Sequence, residues 1–286
     1  MSAGLWRVRM DGQYRLARGE SADRPTELLA PSLSVAGLLA DPAQPLLGLE
    51  SFPGEGTVPA SAVIVAPLDL QPVWAAGVTF PRSRDARLEE AVDGGDVYDR
   101  VFAAERPELF FKAAGIDAIG TGDQLGIRAD SGWNVPEPEL AVVADPFGRL
   151  QAFVLGNDVS SRSIEGENPL YLPQAKVYER SCGIGPCLVP VSVAPAWDEL
   201  RIEMQIVRAS AVLYQDAMHL RAIRRTPSEL LSWLFAAQSF AHGVALLTGT
   251  SLVPPSEITL LDGDSVTVHA DGLGTLLNTI VTVGAR

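Results

Sequence analysis

In the stretch PEPELAVV, residues 136–143, two glutamates stand two positions apart at the start of an apolar run. Side chains alternate between the two faces of a β-strand, so Glu137 and Glu139 are expected on one face, with Leu140 and Val142 on the other. Two neighbouring carboxylates repel each other unless a cation lies between them. The stretch therefore predicts a strand of a β-rich fold whose acidic face is suited to a metal ion.

The next predicted strand, RLQAFVLG at residues 149–156, ends just before a third carboxylate, Asp158. A turn at residues 145–148 (DPFG) would let the two strands pair antiparallel and would bring Asp158 beside Glu137 and Glu139. Three carboxylates without a cluster of cysteine or histidine describe a hard-ion site, which suits Mg²⁺, Mn²⁺ or Ca²⁺ better than zinc or copper. From spacing alone, a metal site is the less common interpretation. More often, two such glutamates lie on a solvent-exposed strand edge and a residue such as Asp158 lies in a turn.

The composition excludes several classes of protein. With 22 basic against 35 acidic residues (22 − 35 = −13), the chain repels phosphate backbones, so nucleic acid is not an expected partner. A hydrophobic share of 47% provides a large core, which excludes a disordered chain. No apolar run reaches the ~20 residues of a membrane span, no secretory leader is evident, and Cys182 and Cys187 cannot build a disulfide framework. We expect a soluble, cytoplasmic protein in which an anionic substrate needs a local cation.

The chain is predicted to divide into a small β-containing N-terminal domain, residues 1–70, and a catalytic domain, residues 71–286. The second part consists mainly of strand patterns, with a helix followed by a loop at residues 85–105. A further helix is predicted from the N-cap Thr226, which is followed by Pro227 and Glu229, as far as Gly249. The predicted fold class is therefore β-rich α+β.

Segments spread over residues 70–286 share the pattern of a known family. They are VWAAGVTF (73–80), LFFKA (109–113), GDQLGIR (122–128), PEPELAVV (136–143), GNDVSSRSIEGENPLYLPQAKVYERSCGIGP (156–186) and DGDSVTVHADGLGTLLNTI (262–280). Together they resemble the core of the fumarylacetoacetate hydrolase superfamily. The resemblance implies a mixed β-roll core, a divalent metal on Glu137, Glu139 and Asp158, and 2-oxo acids as substrates. A 2-oxo acid can chelate the ion, which then polarises the ketone.

Hydrolytic members of that superfamily usually carry a histidine where this chain has Ser83, and a hydroxyl is not an unaided general base near neutral pH. Only Asp85 and Glu89 are nearby replacements. Residues 160–176 are instead similar to the 2-keto-3-deoxy-D-arabinonate dehydratase branch. That resemblance implies Lys176 as a candidate base. Among the polar residues of the same segment, we rank Glu165 as a candidate for a second acid or base. The substrate-binding residues that we expect are Ser83, Arg84, Asn168, Gln174 and Thr250.

The leading hypothesis is a Mg²⁺-dependent hydro-lyase that converts a 2-keto-3-deoxypentonate into 2,5-dioxopentanoate through a metal-stabilised enolate and loss of water. One alternative is an acylpyruvate or diketo-acid hydrolase of the same superfamily. Another is a non-catalytic metal-binding protein that has kept the fold, since a fold does not by itself fix a function. The resemblance also implies a homo-oligomer, either a dimer or a tetramer.

Overall fold

The computed structural model of the protein describes residues 4–82 and 96–284, without the side chains of residues 96–98. Within those ranges the strands are β1 (Gly4–Met10), β2 (Gln13–Gly19), β3 (Glu27–Leu28), β4 (Val63–Val65), β5 (Pro72–Gly77), β6 (Glu108–Ala114), β7 (Gln124–Arg128), β8 (Asn134–Val135), β9 (Pro138–Ala144), β10 (Leu150–Asp158), β11 (Ser160–Ser161), β12 (Cys182–Pro190), β13 (Arg201–Arg208), β14 (Ala211–His219), β15 (Val244–Leu247), β16 (Ser265–Ala270) and β17 (Gly274–Val283). The α-helices are α1 (Val35–Ala40), α2 (Asp96–Ala103), α3 (Arg162–Glu167), α4 (Leu172–Lys176) and α5 (Pro227–Leu234). The predicted β-rich class is confirmed.

The strands of these two ranges form two large sheets and one short pair. The larger sheet has the order β3-β2-β1-β12-β10-β9-β15-β5-β6, and β4 pairs with β1. The second sheet has the order β14-β13-β16-β17-β7, while β8 pairs with β11. The pairs β15–β5 and β17–β7 are parallel, and their neighbours are antiparallel. This mixture of directions confirms the mixed β core expected from the sequence.

The hairpin of β9 and β10 lies in the middle of the larger sheet. Its antiparallel register sets Glu139 opposite Gly156. Just beyond the paired residues, the N–H of Asp158 donates to the carbonyl of Glu137 at 2.9 Å. The predicted hairpin is confirmed, and its register brings the end of β10 beside the start of β9.

Both faces of this hairpin are covered by apolar side chains. Leu140 and Val142 belong to one buried hydrophobic cluster, and Ala141 and Val143 belong to another. A strand that is buried on both sides contains a continuous apolar run, as residues 140–144 do. The carboxylates at the start of β9 therefore lie where water is scarce, and their charges need compensation from neighbouring groups.

Helix α5 begins as predicted but ends earlier. The hydroxyl of Thr226 accepts a hydrogen bond from the N–H of Glu229 at 3.2 Å, which satisfies one free amide of the first turn. The helix stops at Leu234, and Val244–Leu247 forms the buried strand β15 between β9 and β5. The prediction that the helix reaches Gly249 is wrong, because a short, fully apolar run fits a central strand as well as a helical face.

The N-terminal strands extend the larger sheet, since Leu5 of β1 is paired with Leu188 of β12. The domain boundary near residue 70 stays a prediction.

The segment 85–105, predicted as a helix followed by a loop, is described only in part. Residues 96–103 form α2, while residues 85–95 lie outside the described part of the chain. In the ranges that the structure describes, no helix combines the length and the apolar character required to cross a bilayer.

Candidate active site

Three carboxylates converge at the end of the β9–β10 hairpin. Glu137 directly precedes β9, Glu139 lies within it, and Asp158 is the last residue of β10. One oxygen from each of the three lies within 4.8 Å of the others. All three side chains are buried, with 4% or less of each residue exposed. The predicted convergence of these three residues is therefore present in the fold.

Basic side chains surround the carboxylates. The Nζ of Lys176 is hydrogen-bonded to Oε2 of Glu137 and lies 3.3 Å from Oδ2 of Asp158. A guanidinium nitrogen of Arg162 lies 2.7 Å from Oε1 of Glu137, and the Nζ of Lys112 lies 2.5 Å from Oδ1 of Asp158. Charged groups taken out of water are tolerated when they are paired and hydrogen-bonded in this way.

The third carboxylate, Glu139, interacts with the main chain. The N–H of Gly249 donates to its Oε2 at 2.6 Å. Burial, together with the negative charges of Asp158 and Glu137, raises the pKa of the Glu139 carboxyl well above its ordinary value, although the Gly249 hydrogen bond and the charge of Lys176 oppose this. Repulsion among buried carboxylates is relieved by a cation placed between them. The all-oxygen donor set thus fits a hard divalent ion such as Mg²⁺.

The three carboxylates line a small cavity of about 30 Å³. Its other lining residues come from the ends of β5 and β6, from α3 and α4, and from the segment after β15; they are Ala76, Gly77, Val78, Glu108, Phe110, Glu165, Leu172, Lys176, Gly249 and Thr250. The cavity therefore combines acidic groups, one amine and one hydroxyl within a partly apolar wall.

The segment from α3 to α4 delivers two of the polar groups. The Ser161 hydroxyl accepts a hydrogen bond from the N–H of Ile164 at 3.3 Å and so begins α3, on which Arg162 and Glu165 are buried. The side chain of Asn168 then accepts from the N–H of Leu170 at 2.9 Å, which begins a short 3₁₀ turn ahead of α4. Lys176 is the last residue of α4.

The structure brings together six of the predicted site residues: Glu137, Glu139, Asp158, Glu165, Lys176 and Thr250. Two others are placed differently, since Gln174 is exposed and the Asn168 side chain caps a turn. Ser83 and Arg84 lie outside the described residues, as do Asp85 and Glu89. The substrate-binding and catalytic roles assigned from the sequence stay predictions.

Sequence reasoning missed four residues around this cavity: Glu108, Lys112, Arg162 and Gly249. A signal for Lys112 was available, because it is a charged residue in the apolar strand segment LFFKA and one of only two lysines in the sequence. Gly249 was predicted only as the end of a helix and as the neighbour of Thr250, because the group that contacts Glu139 is a main-chain N–H.

Gly249 has a backbone conformation that other residues rarely adopt. Its φ is +94°, and a Cβ at this position would lie 1.9 Å from Oγ1 of Thr79. We expect Gly249→Ala to lower the free energy of unfolding by about 1–3 kcal/mol through the backbone strain alone, and by more through the collision. We also expect weaker metal binding, because the amide that fixes Glu139 would move. Urea unfolding and Mg²⁺ titration measure the two effects.

Gly263 provides the matched control for that variant. It also has a positive φ, +84°, but a Cβ added there would meet no atom within 4 Å beyond the adjoining residues of the chain. Gly263→Ala should lower the free energy of unfolding through backbone strain, without a change in metal affinity. Equal metal affinity in the Gly249 and Gly263 variants would contradict the assignment of the Gly249 amide.

Comparison with known proteins agrees with this geometry. The family described as "Fumarylacetoacetate (FAA) hydrolase C-terminal" matches residues 82–281. The chain is 46% identical over 217 residues to a "Probable 2-keto-3-deoxyxylonate dehydratase" of Haloferax volcanii, which covers 76% of this chain and 74% of that protein. It is 36% identical over 220 residues to the "2-dehydro-3-deoxy-D-arabinonate dehydratase" of Saccharolobus solfataricus, with coverage of 76% and 74%.

Among solved structures, a "2-keto-3-deoxy-D-arabinonate dehydratase complexed with magnesium and 2,5-dioxopentanoate" superposes with a TM-score of 0.84 at 30% identity. The match covers 97% of this chain and 98% of that one. The family match thus spans the carboxylates, the lysine and the closing strands, and the structural match spans nearly the whole chain. The chain belongs to the fumarylacetoacetate hydrolase family.

Proposed function

We propose that the protein is a Mg²⁺-dependent hydro-lyase that converts a 2-keto-3-deoxypentonate into 2,5-dioxopentanoate and water. The observation that carries this proposal is one buried cavity in which Glu137, Glu139 and Asp158 converge beside the amine of Lys176. The two dehydratase relatives, at 46% and 36% identity, support the same reaction class.

Glu137, Glu139 and Asp158 are the residues that would hold the ion. Bound there, Mg²⁺ would withdraw electron density from a 2-oxo acid, acidify its C3 protons and favour the neutral amine of Lys176. The protein contributes a fixed, water-poor arrangement of these oxygens, since all three residues are buried and the Gly249 amide holds the Glu139 side chain. Such preorganisation avoids the rearrangement of polar groups during the reaction.

Lys176 is the proposed base. Its Nζ lies at the carboxylate cluster and within 5.7 Å of the centre of the Phe110 ring, so the amine faces the cavity rather than bulk water. In our scheme it takes one proton from C3 of the substrate, and the C3–H electron pair forms the new double bond as the C4 hydroxyl departs. A positioned base or acid contributes typically 10²- to 10⁴-fold to the rate.

Glu165 is the proposed acid for the departing hydroxyl. It is buried on α3 and lines the same cavity as Lys176. Transfer of its proton to the C4 oxygen releases water. A later shift of one proton from C5 to C3 gives an enol, and a second shift, from the C5 hydroxyl to C4, gives the aldehyde of the dioxo acid. The Thr250 hydroxyl, which also lines the cavity, is a proposed partner of the substrate carboxylate, with Ser83, Arg84, Asn168 and Gln174 as proposed partners elsewhere on the sugar acid.

Purified protein should produce 2,5-dioxopentanoate from 2-keto-3-deoxypentonates when Mg²⁺ is present. We expect EDTA to abolish the reaction and added Mg²⁺ to restore it, with Mn²⁺ as a further test ion because the same oxygen donors suit it. Product is followed by coupling to an aldehyde-specific reagent and by mass spectrometry. Parallel reactions with acylpyruvates test the hydrolase alternative: pyruvate from these substrates without any dioxo product would refute the dehydratase. Metal binding without turnover of either substrate class would leave the non-catalytic alternative.

We further propose that residues 1–70 form a smaller N-terminal unit beside the catalytic unit 71–286, in a cytoplasmic homo-oligomer of two or four subunits. The family match beginning at residue 82 supports the division. A reduced compartment is supported by Cys182 and Cys187, which are both buried free thiols. The family resemblance implies the association of subunits. Light scattering measures the subunit number.

A further inference from the structure

Lysine is rare in this protein and is concentrated at one place. Of the 22 basic residues only two are lysines, Lys112 and Lys176, and the others are arginines. Both lysines are buried beside Asp158, at 2.5 Å from Oδ1 and 3.3 Å from Oδ2 respectively. Lys176 has a role in the proposed reaction, whereas the reaction scheme gives none to Lys112.

Lys112 reaches Asp158 because of an irregularity in β6. In the pairing with β5, Val73 is opposite Ala113 and Trp74 is opposite Phe111, so Lys112 is an extra residue without a partner in the ladder. Such a β-bulge bends the strand and redirects a side chain, and bulges of this kind are frequent next to active sites. The bulge directs Lys112 into the interior, where its side chain is fully buried.

Three acceptors surround the Nζ of Lys112. They are Oδ1 of Asp158 at 2.5 Å, the carbonyl of Val159 at 3.0 Å and the carbonyl of Lys176 at 2.5 Å. The Nζ donates hydrogen bonds to the two carbonyls, and its contact with Oδ1 of Asp158 is an ion pair. The arrangement favours lysine over arginine, because a compact ammonium makes all three contacts from one nitrogen, whereas a guanidinium spreads its donors over a planar fork.

We propose that Lys112 is a positioning residue that fixes the metal site and the base together. It orients Asp158 by holding Oδ1, so that Oδ2 faces the carboxylate cluster, and it holds the main chain of Lys176 where α4 ends. This inference rests on the metal site of the proposed function. Outer partners that orient metal ligands typically contribute 10- to 100-fold to metal affinity or activity.

Lys112→Met tests the proposal by removing the three donors while keeping most of the apolar chain. We expect Mg²⁺ affinity, measured by calorimetry in the absence of substrate, to fall 10- to 100-fold. Lys112→Arg keeps the charge but not the three-point geometry and should also lose about tenfold or more. Wild-type affinity in Lys112→Arg would show that charge alone is required, which overturns a positioning role, and wild-type affinity in Lys112→Met would overturn any role in the metal site.

Arg149→Met is the matched control. Arg149 lies 2.6 Å from the buried carboxylate of Asp145, which follows the opposite end of β9 from the three site carboxylates. This variant also removes the basic partner of a buried aspartate, so it should lower the thermal midpoint while Mg²⁺ affinity stays within about twofold of wild type, because distant sites act independently. A loss of affinity as large as that in Lys112→Met would mean that general destabilisation, not positioning, explains both.

A measurement on the wild-type protein decides the matter if Lys112→Met does not fold. Labelling with ¹⁵N-lysine gives only two side-chain nitrogen signals, which Lys176→Arg assigns. We expect the Lys112 signal to show protons protected from exchange and to shift when Mg²⁺ is added. A Lys112 signal whose protons exchange rapidly, or that does not shift when Mg²⁺ is added, overturns the proposal.

The proposed function and the role of Lys112 can fail separately. If wild-type protein binds Mg²⁺ but turns over no sugar acid, the proposed function fails while the role of Lys112 is still measured. Absence of Mg²⁺ binding refutes both.

Discussion

Lys176→Met should lower kcat for dehydration of 2-keto-3-deoxypentonate by about 10²- to 10⁴-fold while Mg²⁺ still binds. The side chain is the amine that lines the cavity beside Glu137 and Asp158, and methionine keeps its length without a proton-accepting group. Metal affinity should be unchanged or higher, because one positive charge that competes for the carboxylates is gone. Single-turnover kinetics and Mg²⁺ calorimetry measure the two quantities separately.

Lys176→Arg separates base chemistry from charge. Arginine keeps the positive charge but does not lose its proton in proteins, so it cannot serve as the base. We expect this variant to be as inactive as Lys176→Met. Substantial activity in Lys176→Arg would show that the positive charge, and not proton removal, is what position 176 supplies, and another base would have to be sought.

Glu139→Gln is expected to have the second large effect, on the metal. It removes one of three carboxylates in the cluster, so Mg²⁺ affinity should fall by more than about 100-fold, beyond the loss typical of an outer partner. Activity at moderate Mg²⁺ should fall in parallel. Glu203→Gln, on the partly exposed strand β13, is the control and should leave both unchanged. Equal Mg²⁺ affinity in the two variants would remove Glu139 from the metal site.

The same variant should change how stability depends on pH when metal has been stripped with EDTA. Burial and neighbouring negative charge raise the pKa of Glu139 in the folded protein, so the folded state binds more protons than the unfolded chain between the two pKa values. The free energy of unfolding of wild-type protein should therefore fall as the pH rises above the ordinary glutamate value, and level off above the raised folded-state pKa. Glu139→Gln should lack this decrease. A wild-type protein whose metal-free stability rises over that range would contradict the raised pKa.

The features that could be predicted from sequence are those that depend on residues close to one another along the chain. A turn of four residues separates two apolar runs, so strand alternation and antiparallel pairing allow Asp158 to lie beside Glu137 and Glu139. The family resemblance then favoured this arrangement over a solvated strand edge. The start of α5 could also be predicted, because Thr226 and Glu229 interact within one helical turn. The end of that helix was not, because burial on both faces makes Val244–Leu247 a strand despite its helical spacing.

The sequence by itself determined the β-rich class, the acidic hairpin, the hard-ion donor set and the presence of a lysine near it. Only the tertiary structure decided which distant groups complete the site: the Gly249 amide is 110 positions from Glu139, and Lys112 bonds a carbonyl 47 positions away. It also left Gln174 exposed on α4 while Lys176, two positions later, is buried. Which residues are buried at the site depends on how separate strands and helices pack. A β-bulge or the orientation of a helix can bury one residue and expose its neighbour without any periodic pattern in the sequence.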